Sequence, residues 1–182
     1  MNKLLTLMQK TSMKKYYYLL LIFTGLTLSA TNAKAQDYNP NYQIAAGLKF
    51  GGYENGVSAK YFMNSSTSLE AIAGLRSPHG LVLTGLYEIN HTAFEVEGLR
   101  FYYGFGAHLG AVGAGYYQRF DGSNELYSKS QILLGADGVV GLEYVIPQSP
   151  IAISLDLNPR IELATGPFFD IAPGLGVKYC FK

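Results

Sequence analysis

His108 and Asp137 are of the types that acid–base chemistry uses. Each lies in a stretch where apolar and polar residues alternate, and a β-strand would place both on the polar face. A histidine beside a carboxylate serves hydrolases as a general base with its orienting group. No serine stands out as the nucleophile of this pair. We therefore expect His108 to be a hydrogen-bonded structural residue, and a hydrolase is the alternative.

The polar faces of these stretches carry most of the remaining charges, and the two signs balance. The predicted interior set is Lys49, Lys60, Arg76, Arg100, Arg160 and Lys178 with Glu70, Glu88, Asp137, Glu143, Asp156 and Glu162. Balanced charges that share a narrow interior are expected to pair. The connecting turns suggest that Lys60 pairs with Glu70 and Glu88 with Arg100, and that Glu143 is a second acid for Arg100.

Eight alternating stretches would position these side chains, and none has a charge on its apolar face. They are Tyr42–Tyr53, Val57–Met63, Ser68–Arg76, Leu81–Asn90, Gly98–Gly110, Gln131–Ile146, Ile151–Leu163 and Ile171–Phe181. A tilted strand crosses a bilayer with about 9–11 residues, a length that Gly98–Gly110 reaches. Pro159 indicates a bulge or the upper end of its strand. Ala111–Ser130 is the longest connection.

The pattern predicts an all-β protein, an eight-stranded antiparallel up-and-down transmembrane β-barrel with its apolar face outward. A soluble barrel of the same size would instead have an apolar interior. Glycines are frequent on the polar face, which suits a crowded interior. Tyrosines such as Tyr61, Tyr103 and Tyr179 lie near strand ends on the apolar face, where aromatic girdles are found.

The N-terminal segment has the order of a secretory signal. Lys14 and Lys15 precede the apolar run Tyr16–Leu28, and Ala33-Lys34-Ala35 provides small residues at a cleavage site. We expect residues 1–35 to be a signal peptide, with Met13 as an alternative start, and residues 36–182 to form one barrel domain. Removing five lysines leaves 9 basic residues against 13 acidic ones, a net charge of −4, so no basic face for nucleic acid is indicated.

The predicted architecture resembles that of the small eight-stranded outer-membrane barrels of the OmpA/OmpX type. The segment from Gly141 to Pro159 is similar to one that recurs in uncharacterised small outer-membrane barrels, and the ending Tyr179-Cys180-Phe181-Lys182 resembles their terminal assembly signal. The resemblance implies the outer membrane of a Gram-negative bacterium as the location. It also implies outer-membrane lipid and the barrel-assembly machinery as partners of a monomer.

The expected function is that of a non-catalytic barrel with a salt-bridged, plugged lumen and a structural or surface-interaction role. Surface contact is assigned to Tyr116, Tyr117, Arg119 and Phe120, which lie in the long connection. Two alternatives stay open: an envelope enzyme that uses His108 and Asp137, and a narrow solute or ion channel. No metal-ligand spacing or nucleotide-binding loop is present, so we expect no cofactor.

Overall fold

The computed structural model describes residues 42–94, 96–118 and 122–181, and in them eight antiparallel strands close into a barrel. The predicted signal peptide lies outside the described residues. The barrel strands are β1 (Ile44–Gly51), β2 (Asn55–Phe62), β3 (Thr67–Arg76), β4 (Gly80–Thr92), β5 (Leu99–Val112), β8 (Gln131–Val145), β9 (Ile151–Glu162) and β10 (Phe168–Phe181). Their order around the barrel is β1-β2-β3-β4-β5-β8-β9-β10, so the predicted eight-stranded all-β barrel is confirmed.

Burial follows the alternation of the sequence along each strand. In β3 the side chains of Ser68, Glu70 and Arg76 are buried. Leu75, on the alternate face of the same strand, is 68% exposed. The charged face therefore points inward and the apolar face outward, which is the inverse of a water-soluble barrel. No helix that is both long and apolar enough to span a membrane occurs among the described residues.

The two ends of the barrel differ in their connections. At one end, here called the terminal end, β1 begins and β10 ends, and short turns join β2 to β3, β4 to β5 and β8 to β9. At the other end, the loop end, β5 and β8 are joined by a second, two-stranded sheet of β6 (Gly115–Gln118) and β7 (Asn124–Tyr127). The sequence predicts only a long connection here, because four-residue strands are too short for their alternation to stand out.

Pro159 interrupts one ladder without shifting it. The pairing of β8 with β9 runs through Asp137↔Arg160, stops, and resumes at Val140↔Leu157 in the same register. A proline has no N–H to donate, which accounts for the gap. No bulge forms. Pro159 lies near the loop end of β9 and still has a register partner, Ile171, in β10.

Candidate functional site

The barrel interior contains the whole predicted set of charged residues together with His108. Each of these residues is at most 6% exposed, and they come from all eight barrel strands. They are Lys49, Lys60, Glu70, Arg76, Glu88, Arg100, His108, Asp137, Glu143, Asp156, Arg160, Glu162 and Lys178. Because strand alternation places them there, their inward direction follows from the sequence, but their partners are set by three-dimensional geometry.

Glu143 is the centre of a cluster at the terminal end. Its carboxylate accepts a hydrogen bond of 2.6 Å from the hydroxyl of Tyr42, which lies just before β1. The Lys60 Nζ is 3.4 Å away, the Arg100 Nη1 3.7 Å and the Lys178 Nζ 4.0 Å. One fully buried carboxylate therefore faces three cations and a phenol.

Two further carboxylates balance these cations. The Lys60 ammonium lies 3.0 Å from Glu88, and the Lys178 ammonium lies 2.7 Å from Glu70. Lys60 and Glu70 are register partners on β2 and β3, as the turn predicts, yet their charged ends bond elsewhere because both side chains reach across the interior.

The predicted pairing of Glu88 with Arg100 is wrong. The register places Glu88 opposite Gly104 and places Arg100 opposite Thr92. The β4–β5 register therefore differs from the predicted register, in which Glu88 and Arg100 are opposite each other. On its other side Arg100 is the direct register partner of Glu143, the acid proposed as its second partner.

A smaller group lies near the middle of the barrel. Asp156 forms an ion pair with Lys49 and accepts a hydrogen bond of 2.6 Å from the hydroxyl of Tyr102. The Tyr102 ring is fully buried and fits because position 141 is glycine: a Cβ there would lie 2.8 Å from the Tyr102 Cζ. Sequence reasoning placed Tyr102 on the inward face but gave it no role.

His108 is held between two carboxylates at the loop end. Its Nδ1 lies 2.7 Å from Asp137 and its Nε2 lies 3.0 Å from Glu162. Each nitrogen faces an acceptor, so this arrangement fits the doubly protonated imidazolium, in which both nitrogens donate. The other oxygen of Glu162 accepts the backbone N–H groups of Leu134, at 3.0 Å, and Ala164, at 3.1 Å.

Arg160 links the same cluster to the connection between β1 and β2. Its Nε donates to Asp137 at 2.6 Å, its Nη1 lies 2.9 Å from Glu54, and its guanidinium lies 4.5 Å from the ring centroid of Tyr53. Burial, together with the carboxylate of Asp170, raises the pKa of the Tyr53 phenol, so this residue stays neutral at ordinary pH.

Glu54 and Asp170 are interior charges that the sequence analysis missed. Both are only 8% exposed, and they bring the buried acids to eight against six buried lysines and arginines among the described residues. Glu54 was assigned to the turn before β2, where no alternation indicates direction, and Asp170 precedes the predicted start of the last strand. A positive charge on His108 offsets part of this excess of acid.

The surface-contact prediction fails for Tyr117. This side chain is 1% exposed, and its hydroxyl lies within hydrogen-bonding distance of the carbonyls of His79, at 3.1 Å, and Gly113, at 3.0 Å. Its ring packs against Tyr127 and the inward-facing Val112. This face of the hairpin covers the barrel mouth. Tyr116, on the opposite face, is 70% exposed. Arg119 and Phe120 lie outside the described residues.

The chemistry open to this interior is limited. Both ring nitrogens of His108 are engaged by carboxylates, so neither is directed at a substrate. Within the described ranges, no group of three or more His, Cys, Asp or Glu side chains is arranged to hold a metal ion. Five of the six buried lysines and arginines in these ranges lie within 4 Å of a carboxylate, and the guanidinium of the sixth, Arg76, lies 5.8 Å from the ring centroid of Tyr117.

Comparison with known proteins identifies the fold. No family model matches the chain, and no curated protein matches its sequence. The crystal structure of the N-terminal beta-barrel domain of Pseudomonas aeruginosa OprF is 21% identical, with a TM-score of 0.59, and the match covers 80% of this chain and 100% of that one. Ail, the attachment invasion locus protein of Yersinia pestis, is 16% identical with a TM-score of 0.39, over 76% of this chain and 96% of that one. The similarity to the OprF domain confirms, at the level of the fold, the resemblance to small eight-stranded barrels.

Proposed function

We propose that the protein is a monomeric integral outer-membrane β-barrel with an occluded lumen and a structural or surface-interaction role. The observation that carries the proposal is the inversion of polarity: the outside of the barrel is apolar and the inside is charged. The outer wall of the barrel is then in contact with outer-membrane lipid. Insertion by the barrel-assembly machinery is part of the proposal.

The outward face supports a lipid environment. Large apolar side chains cover it around the whole barrel, among them Leu48, Leu75, Leu83, Phe105, Leu134, Leu155 and Val177, with exposed fractions between 39% and 68%. Water-soluble monomers rarely expose contiguous apolar patches larger than a few hundred Å². Tyrosines lie near strand ends on this face, as in Tyr61 and Tyr179 at the terminal end.

The interior supports occlusion. An eight-stranded barrel has room for its own side chains and little more. At the terminal end Lys60, Glu88 and Glu143 are fully buried, and Lys60 contacts both carboxylates. The Tyr42 ring packs edge-on against Phe62 at the same end. At the loop end Tyr117 and Tyr127 cover the mouth. Between these layers, a space lined by Lys49, Glu54 and Arg160 has a volume of about 40 Å³, the size of one or two water molecules.

Conductance in a planar bilayer tests occlusion. The purified barrel is expected to insert without producing discrete current steps in potassium chloride. Five of the six buried lysines and arginines in the described part of the chain lie within 4 Å of a carboxylate, and an eight-stranded barrel has little room for a continuous aqueous path. Tyr116→Ala, a change on the outer surface, should likewise produce no discrete current steps. Regular single-channel steps from the wild-type protein, in bilayers where a general porin conducts, would contradict the proposal and favour the narrow channel.

The hydrolase alternative receives no support from the geometry. A general base needs a ring nitrogen within hydrogen-bonding reach of the proton it removes, and the Nε2 of His108 is directed at Glu162. His108 is also 1% exposed, so a substrate would have to enter the filled barrel to reach it.

A further inference from the structure

The β6–β7 hairpin has one buried and one exposed face. Tyr117 and Tyr127 form the buried face over the barrel mouth, where they pack with Val82, Val112 and Leu133. Tyr116 and Leu126 are direct cross-strand partners on the other face, 70% and 58% exposed. Removing the apolar surface of these two side chains from water is favourable, so exposure to water would forgo that free energy.

We propose that the exposed pair Tyr116–Leu126 lies in the headgroup layer of the lipid surface around the barrel, so that the hairpin anchors the loop end to the membrane interface. The inference rests on the proposed membrane location. It assigns the hairpin a lipid partner, where the sequence predicts only a surface-contact role.

Continuity with the lipid-facing wall is the first argument. The hairpin extends β5 and β8, whose last outward-facing residues at this end include Leu109, Ile132 and Leu134, exposed by 56%, 65% and 49%. Because Tyr117 and Tyr127 face the interior of the barrel, their alternate neighbours face away from it. On the β5–β6 side the apolar outer surface continues through the exposed Ala111 and Ala114 onto the hairpin, whereas on the β7–β8 side the exposed Ser128, Lys129 and Ser130 separate Leu126 from Ile132.

A gradient of polarity along the hairpin is the second argument. On the outer face of β7 the residue nearer the barrel is Leu126 and the next one toward the tip is Asn124, about 7 Å further along the strand. The tip itself contains Gly122 and Ser123. Tyrosine is the residue type that favours the membrane–water interface, where its ring meets acyl chains and its hydroxyl meets water. Tyr116 and Leu126 lie opposite each other at one level of the hairpin, and the residues nearer the tip are polar or glycine, as expected of a segment at the membrane–water interface.

Single-tryptophan reporters can test this placement, because the chain has no tryptophan of its own. Trp is introduced separately as Leu134→Trp in the barrel wall, Leu126→Trp on the hairpin and Asn124→Trp toward its tip, in barrels reconstituted into phosphatidylcholine vesicles. Bromine-labelled acyl chains quench tryptophan within the membrane, and acrylamide quenches it from water. Far-UV circular dichroism checks that each variant is folded.

We expect strong quenching by bromolipid at position 134, intermediate quenching at 126 and the least at 124, with acrylamide quenching in the reverse order. If 134 is quenched by lipid while 126 behaves like 124, the hairpin projects into water, and the inference fails while the proposed function survives. Shielding of 126 from both quenchers would indicate a protein partner or a second copy and would also overturn it. Loss of lipid quenching at 134 would reject the membrane location itself.

Discussion

Glu143→Gln is expected to lower the free energy of unfolding by about 3–5 kcal/mol, the range for removing one partner from a buried ion cluster. The replacement keeps the shape of the side chain and a hydrogen-bond acceptor for Tyr42. It removes a charge that faces Lys60, Arg100 and Lys178 together. The carboxylates of Glu88 and Glu70 would then remain in the cluster with three cations. A buried positive charge in excess of its counter-charges is costly, and eight strands leave no room for bulk water to solvate it. Urea unfolding in detergent micelles measures the change.

Glu97→Gln is the matched control for this variant. Glu97 lies in the β4–β5 turn and is exposed, so the same chemical change there should shift stability by less than about 0.5 kcal/mol. A Glu143→Gln barrel as stable as the control would show that the cluster does not hold the interior together. That result would remove the argument that the charges fill the lumen as paired ions.

Phe105→Arg is expected to destabilise the barrel by about 2–4 kcal/mol in a bilayer, the range for a cation on the lipid face at mid-depth. Phe105 lies at the middle of β5, its side chain is 68% exposed, and its neighbours on the outer surface are apolar. In a water-soluble barrel the same substitution would replace an exposed aromatic with a solvated charge and change stability by less than about 0.5 kcal/mol. Unfolding by urea in lipid vesicles distinguishes the two.

Tyr116→Arg provides the positional control for the lipid face. It places the same charge on the outer surface, at the β6–β7 hairpin, where the expected cost is about 0–1 kcal/mol because an interface solvates arginine. Equal costs at 105 and 116 would mean that the outer surface has no depth-dependent polarity. Such a result would contradict a bilayer that surrounds the middle of β5.

The faces of the strands could be predicted from the sequence, but the contacts inside the barrel could not. A side-chain period of two decides which residues point inward, and it placed Lys60, Glu88 and Glu143 correctly on one side of their strands. Their pairing depends on long side chains that cross the interior and on the stagger of eight strands, which no local pattern encodes. Hence the turn-based pairing of Glu88 with Arg100 was wrong.

Residues outside regular alternation were the other source of error. Glu54 sits in a turn that bends over the loop end and reaches Arg160, and a turn has no periodicity from which direction can be read. The sequence predicts a surface position for Tyr117 because a four-residue strand is too short for its alternation to stand out. Once that strand pairs with β7, alternation sends Tyr117 inward and leaves Tyr116 outside.

The behaviour of the folded barrel without detergent is the most direct test of the claim that its outer wall faces lipid. The protein is refolded in detergent, its β-sheet content is recorded by circular dichroism, and the detergent is removed by dialysis with or without lipid vesicles before sedimentation. We predict that the folded barrel stays dispersed only when it is incorporated into vesicles, and that it aggregates when lipid is omitted. A folded monomer that remains in solution without detergent or lipid would contradict the account.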